Sequence, residues 1–138
     1  MWWIFALLSA VFAALTAIFA KVGIKGVDTD LATAIRTVVI LILAWGIAFF
    51  RGGTASMQTL TKQNIIFLCL SGVATGLSWI FYFKALQLGK VSQVAAVDKL
   101  SVAIAIILSV IFLGEKISTQ GMVGAGLIIT GTIVLIYS

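Results

Sequence analysis

The sequence predicts an all-α integral membrane protein, a bundle of five transmembrane helices. Of the 138 residues, 62% are hydrophobic and only 9% are charged, and the mean hydropathy is +1.25. Soluble domains are about 45–50% apolar and about 25% charged, so one of this length cannot bury so much apolar side chain. The apolar residues fall into five runs without the alternation of membrane β-strands. The excess apolar surface must therefore face lipid.

Each apolar run is long enough to cross a bilayer as a helix. About 20 residues span roughly 30 Å of hydrocarbon, and a helix satisfies its backbone polar groups within itself. The predicted spans are residues 2–20, 31–50, 64–83, 92–113 and 119–137. The longest connection is too short for a soluble domain, so we expect a single domain over residues 1–138. Proline is absent, so we expect any break within a helix to come from glycine.

The composition also argues against several functions. Histidine is absent and the one cysteine, Cys69, lies inside an apolar run, so no nucleophile–base pair of an enzyme is evident. We expect no catalysis, no metal and no cofactor. The nine Lys and Arg residues are scattered rather than clustered, so we expect no nucleic-acid partner. These features together predict a multi-pass protein of the cell (plasma or inner) membrane.

Polar side chains form stripes along the predicted spans. In the third span they recur at steps of four, three and four residues, which places them on one helix face: Ser71, Thr75, Ser78 and Tyr82. The fourth span carries a similar stripe that includes Asp98 and Ser101. The first four spans have polar faces and the fifth has no charged group, so we expect the first four to surround a wet route. The alternative is that each hydroxyl bonds to a carbonyl of its own helix.

Several charges lie in one layer near the membrane face opposite the N-terminus, here called side B. Arg36 lies about 8 Å into the second span from side B, at 1.5 Å per residue, and Asp98 and Lys99 lie at a similar depth in the fourth. Charges at such depth usually pair or face a cavity. We expect Arg36 and Asp98 to pair and line a solute route, with Trp79 and Tyr82 as its walls. The predicted site residues are Arg36, Asp98, Lys99, Lys84, Lys21, Trp79, Tyr82, Ser101, Thr75 and Ser78. A purely structural pair, with the lysines reaching the headgroups, is the alternative.

Five short strings in the chain resemble those of one transporter family. They occur in its order and spacing: Ala20-Lys21-Val22-Gly23, Ala34-Ile35-Arg36, Ala85-Leu86-Gln87-Leu88-Gly89, Phe112-Leu113-Gly114-Glu115 and Gly124-Ala125-Gly126-Leu127. Together they resemble the EamA domain of the drug/metabolite transporter superfamily over essentially the whole chain. The string Val97-Asp98-Lys99-Leu100-Ser101 is similar to a small one-domain branch.

The resemblance implies a transporter of small organic solutes without an enzymatic step. Most members of that family carry two five-helix domains in inverted orientation, with the route between them and the last helix of each domain peripheral. This chain departs from the pattern because it supplies one domain, and because Ser101 stands where the larger family often has proline. The single domain bears on how the protein assembles. The serine in place of proline bears on helix bending and on the class of substrate.

The loop charges predict dual topology. The side of the N-terminus holds three loop cations, Arg51, Lys62 and Lys116, whereas side B holds four, Lys21, Lys25, Lys84 and Lys90. The orientation of a membrane protein follows the excess of Lys and Arg in the short loops of one side. A difference of one cation between the two sides is too small to fix one orientation. We therefore expect an antiparallel homodimer in membrane lipid that works by alternating access.

The charge of the side B layer predicts the class of solute. Cations outnumber the single carboxylate there, and a positive concavity attracts anions, so we expect an anionic or zwitterionic small molecule. Two other functions stay open from the sequence: a small dual-topology ion channel, and a non-transporting membrane subunit of a hetero-oligomer.

Overall fold

The computed structural model describes residues 1–138 and is all-helical. It contains α1 (Trp2–Gly23), α2 (Thr29–Phe50), a 3₁₀ helix (Gly53–Thr59), α3 (Lys62–Leu88), α4 (Val91–Asp98), α5 (Leu100–Phe112) and α6 (Thr119–Ile136). Helices α4 and α5 together form one apolar stretch, so five stretches are long and apolar enough to cross a membrane. The prediction of five membrane helices is confirmed. Large apolar side chains are exposed along all five, as suits helices that have lipid for a solvent.

Helices α1 and α3 extend beyond the apolar runs that predict them. Helix α1 continues past residue 20 through Lys21 to Gly23, and α3 covers 27 residues where the predicted span covers 64–83. At 1.5 Å per residue α3 is about 40 Å long, more than the hydrocarbon core alone requires. A lysine marks the edge of the hydrocarbon but does not break a helix. Lys84 consequently lies inside α3 rather than at its end.

The fourth span is divided at Lys99 into α4 and α5, without any glycine nearby. The Lys99 N–H donates to the carbonyls of Ala95 (3.3 Å) and Ala96 (3.1 Å), and the Val102 N–H donates to the Lys99 carbonyl (3.0 Å). Bonds between residues three apart tighten the chain into a 3₁₀-type turn, which interrupts the α-helical pattern. The expectation that only glycine would break a helix is therefore wrong at this position.

Short polar residues and one glycine set several helix ends. The Asp28 carboxylate accepts from the Leu31 N–H (3.1 Å) at the start of α2, and the Ser118 hydroxyl accepts from the Gly121 N–H (3.0 Å) at the start of α6. These are ordinary N-caps, which satisfy donors that the first helical turn leaves unpaired. Gly114 follows α5 with φ +67°, a left-handed conformation that glycine adopts without steric cost.

The chain forms two compact units. The middle unit is Ala20–Gln87, and the terminal unit combines Met1–Phe19 with Leu88–Ser138. In the middle unit, α2 packs on the 3₁₀ helix, and the buried residues are Ala20, Ile24, Thr29, Thr33, Phe83 and Leu86. In the terminal unit, α4 and α5 both pack against α6, and the buried residues are Ala17, Ala103 and Thr132.

Candidate functional site

The middle unit holds an arginine against two aromatic rings. The Arg36 guanidinium carbon lies over the Phe83 ring at 4.3 Å from its centroid and over the Trp79 ring at 5.2 Å. Trp79 and Phe83 are four residues apart on α3, so their rings lie on one helix face. On α2, Arg36 follows the buried Thr33 by three residues, which puts both on the inward face. The arrangement is a double cation–π contact, which is strongest where water is excluded.

One nitrogen of this guanidinium is buried without a hydrogen-bond partner. Nη1 of Arg36 has no acceptor, although the guanidinium is a charged group with five N–H donors. Leaving a buried donor unpaired costs about 1–3 kcal/mol, and more for a charged group. Buried polar groups in native proteins nearly always find an acceptor, so an exception calls for an explanation. Here the Arg36 side chain lies in a membrane-spanning helix and has an unused donor.

Tyr82 adds a third ring beside this contact. Its centroid lies 5.8 Å from that of Phe83, with the ring planes at 57°. The Tyr82 side chain is half-buried, as is that of Trp79. We name the cluster of Arg36, Trp79, Tyr82 and Phe83 the arginine–aromatic cluster. Of these four residues, sequence reasoning predicted all but Phe83.

Two further side chains tie α3 to the connection between α1 and α2. The Lys21 ammonium donates to the Leu86 carbonyl. The Gln87 amide nitrogen donates to the carbonyls of Val27 (2.9 Å) and Ile24 (3.2 Å). A cation at a helix C-terminus satisfies an unpaired carbonyl and complements the helix dipole. Lys21 therefore contributes to the packing of the middle unit.

The remaining predicted residues of α3 are exposed. Lys84 is exposed, and so are Ser71, Thr75 and Ser78 of the polar stripe. The Thr75 hydroxyl donates to the Ser71 carbonyl at 2.9 Å, one helical turn earlier. This bond matches the alternative interpretation of the stripe, in which hydroxyls bond within their own helix.

The other predicted charges lie at the break in the fourth span. Asp98 is the last residue of α4, Lys99 forms the break, and Ser101 lies in the first turn of α5; all three are exposed. They belong to the terminal unit, whereas Arg36 belongs to the middle unit. The Arg36–Asp98 pair therefore stays a prediction.

Sequence reasoning missed Phe83 and Gln87 as members of this region. Phe83 is only 1% exposed, yet in sequence it is one phenylalanine among nine. Its position four residues after Trp79 was the available signal, because that spacing puts both rings over the same neighbour. Gln87 is the polar residue in the string Ala85-Leu86-Gln87-Leu88-Gly89 at the end of an apolar helix. A side chain with two amide hydrogens at that point is well suited to bind carbonyls of an adjacent turn.

Five apolar membrane helices, one of which carries a partly enclosed arginine, define a multi-pass membrane protein. The chain belongs to the EamA-like transporter family, whose model matches residues 1–137. It is also similar to a Sinorhizobium sp. protein named "Uncharacterized transporter in cobO 3'region". The two are 46% identical over 134 residues, which cover 97% of this chain and 95% of that protein. No solved structure matches the chain. The predicted family is thus confirmed, and with it a membrane transporter of the drug/metabolite type located in the cell membrane.

Proposed function

We propose that this protein carries a small organic solute across the cell membrane by alternating access, as an inverted homodimer and without a chemical step on the solute. The observation that carries the proposal is the arginine–aromatic cluster. A charged side chain within a membrane-spanning segment is costly, and such residues usually mark a substrate or ion pathway. The Trp79 and Phe83 rings hold the guanidinium, and its Nη1 has no hydrogen-bond partner. This arrangement suits a solute that binds reversibly.

Each unit contains proposed route residues of its own. In the middle unit, Arg36 binds the solute, while Trp79 and Tyr82 form walls with polar tips. In the terminal unit, Asp98 is the only acid within a predicted span and is the candidate coupling carboxylate. The remaining proposed route residues supply charge or hydroxyl groups: Lys99, Lys84, Ser101, Thr75 and Ser78. Lys21 holds the end of α3 and shapes the route indirectly.

The inverted homodimer follows from the odd number of helices. If two copies of a five-helix unit were joined in one chain, the second copy would have the opposite orientation in the membrane. Separate copies reach the same arrangement only if some insert in one orientation and some in the other. The nearly balanced loop charges support such dual insertion. A two-fold axis in the membrane plane would then place one copy of the arginine–aromatic cluster near each membrane face. Rocking one subunit against the other would open the two faces in turn.

Uptake into proteoliposomes tests the transport function. Purified protein is reconstituted and assayed with radiolabelled alanine, glutamate, succinate and choline, beside protein-free vesicles. We expect saturable uptake of at least one of the first three. For Arg36→Gln we expect uptake to fall about tenfold or more, since a charge-assisted bond contributes about 1.5–3 kcal/mol and 1.4 kcal/mol is a factor of ten.

Arg51→Gln is the matched control, because Arg51 is exposed at the end of α2. It should transport at the wild-type rate. Equal uptake by Arg36→Gln and the wild type would remove Arg36 from the route. Current that rises linearly with voltage, without saturable flux, would identify a channel instead.

Topology reporters test the inverted dimer. One C-terminal fusion is active only in the cytoplasm and the other only outside the membrane. Activity from both fusions supports dual insertion. Activity from one fusion, with a dimer still seen by crosslinking, would mean a parallel assembly and would contradict alternating access between inverted subunits.

A further inference from the structure

The Arg36 guanidinium has an unmet requirement for a hydrogen-bond acceptor. Its Nη1 is buried and unpaired, and two aromatic rings lie against the group. Ring faces attract a cation but do not replace an oxygen acceptor in line with an N–H. The group is therefore held in place by Trp79 and Phe83 with donor capacity left over.

The carboxylates of the middle unit lie at the start of α2 and do not bind Arg36. This unit contains two carboxylates, both at the beginning of α2. Asp28 accepts from the Leu31 N–H as an N-cap. Asp30 lies in the first turn, where an acid complements the positive end of the helix dipole, and it is six residues before Arg36, about 9 Å along the axis. An acceptor for Nη1 must come from outside these two groups.

The other cations of the middle unit do not share this situation. Lys21 donates to the Leu86 carbonyl. The other four cations are exposed: Lys25, Arg51, Lys62 and Lys84. Arg36 is also the better match for a planar anion, because its N–H groups form a fork that binds both oxygens of a carboxylate in parallel. A neutral carbonyl would satisfy one donor but leave the charge uncompensated in a low-dielectric region.

We propose that the Arg36 guanidinium, held by Trp79 and Phe83, binds a carboxylate group of the transported solute. This inference rests on the proposed transport function and adds the chemical class of the substrate. The half-buried ring of Tyr82, which lies next to the Phe83 ring, would contact the rest of the solute. The carboxylate that binds Arg36 could belong to the solute or to Asp98. The experiment below distinguishes these two sources.

The test measures the thermal stability of the purified protein with matched acid and amide pairs at equal ionic strength. The pairs are N-acetylalanine with N-acetylalaninamide, benzoate with benzamide, and succinate with succinamide. The members of a pair have similar shapes and differ in charge. We expect at least one acid to raise the midpoint of unfolding by about 3–6 °C at roughly ten times its Kd, and its amide to leave the midpoint unchanged.

Three variants assign the effect. Arg36→Gln should lose the acid-dependent rise, Arg51→Gln should keep it, and Asp98→Asn should keep it, because the solute rather than Asp98 supplies the carboxylate. Arg36→Lys, which keeps the charge but not the fork, should weaken it and guards against a folding defect in Arg36→Gln. The inference is overturned if no pair shows an acid-selective rise in the wild type, if Arg36→Gln keeps the rise, or if the rise appears only in Asp98→Asn, which would mean that Asp98 occupies Arg36 in the wild type.

The outcome is separate from that of the transport assay. Acid-selective binding without saturable flux would overturn the transport function and leave the carboxylate site standing. Saturable flux without any preference for acids would support the transport function and overturn the carboxylate site.

Discussion

The middle and terminal units treat their charged residues differently. In the middle unit, Arg36 lies against two rings, and Lys21 and Gln87 bind carbonyls at helix ends. In the terminal unit, the charges at the break, Asp98 and Lys99, are exposed. Neutral groups make its connections instead. Only the middle unit thus holds a partly buried cation, whereas the charges at the break in the terminal unit are exposed.

The connections of the terminal unit are few and uncharged. The Gln93 amide nitrogen donates to the Ile136 carbonyl at 3.2 Å, and the Thr132 hydroxyl lies 3.1 Å from the Ala96 carbonyl and 2.8 Å from that of Ile128. Both interhelical bonds join α6 to α4, before the break at Lys99. In the proposed function, Arg36 of the middle unit binds the solute and Asp98 of the terminal unit is the candidate coupling carboxylate, so the two units have different proposed roles.

The largest effect is expected for Asp98→Asn on transport. If the exposed carboxylate couples solute movement to protons or ions, its removal should abolish saturable uptake, while an exposed isosteric change should leave the free energy of unfolding within about 0.5 kcal/mol. Proteoliposome flux and denaturant titration measure the two quantities. Asp30→Asn, an exposed acid of the middle unit, is the control. Wild-type uptake by Asp98→Asn would show that the terminal unit's acid takes no part in transport.

The next effect concerns the packing of the cluster. Phe83→Ala removes a ring that is 1% exposed, and core Phe→Ala changes cost about 3–5 kcal/mol, so we expect a loss near 3 kcal/mol in the free energy of unfolding. Phe81→Ala is the matched control, since Phe81 is 71% exposed on the same helix. Similar losses in the two variants would mean that Phe83 is not a packing centre of the middle unit.

A third experiment compares the glutamines of the two units. Gln87→Leu removes two hydrogen bonds to carbonyls and Gln93→Leu removes one. At about 1 kcal/mol per bond, we expect losses near 2 and 1 kcal/mol in the free energy of unfolding. Denaturant titration of both variants gives the ratio. A larger loss for Gln93→Leu than for Gln87→Leu would contradict the expectation that stability follows the number of bonds that each glutamine makes.

The smallest effect is expected for Thr132→Val. Its hydroxyl has one hydrogen for two acceptors, and hydrogen bonds between membrane helices average about 0.6 kcal/mol, so the expected loss is of that size. The matched control is Thr130→Val, because the Thr130 hydroxyl donates only to the Gly126 carbonyl of its own helix. Indistinguishable stabilities would show that the bond to Ala96 adds nothing to the packing of α6 on α4.

The sequence predicted the number of membrane helices, but it did not predict where each helix ends. It also predicted that Arg36 belongs to the site, but it did not predict the Phe83 ring that contacts it. Apolar length dictates how many times the chain crosses the bilayer, but Lys21 and Lys84 did not end their helices, because helix formation continues beyond the hydrocarbon edge. The break at Lys99 arose from local hydrogen bonding that no residue type signals. Arg36 and Trp79 were predicted to line one route, but the partner predicted for the Arg36 charge was Asp98, whereas Trp79 was predicted only as a wall. Phe83 was missed because it is one apolar residue in an apolar helix, and only its spacing of four residues from Trp79 distinguishes it.

The connection between Gln93 and Ile136 has a consequence for biosynthesis. The middle unit is continuous in sequence, so its ties can close once residue 87 has left the ribosome. Gln93 must wait for a carbonyl that is 43 residues further along the chain. At about 5–20 residues per second, synthesis of that stretch takes roughly 2–9 s. During this interval α4 has been synthesised but α6 has not, so the terminal unit is completed only after the bonds of the middle unit can form.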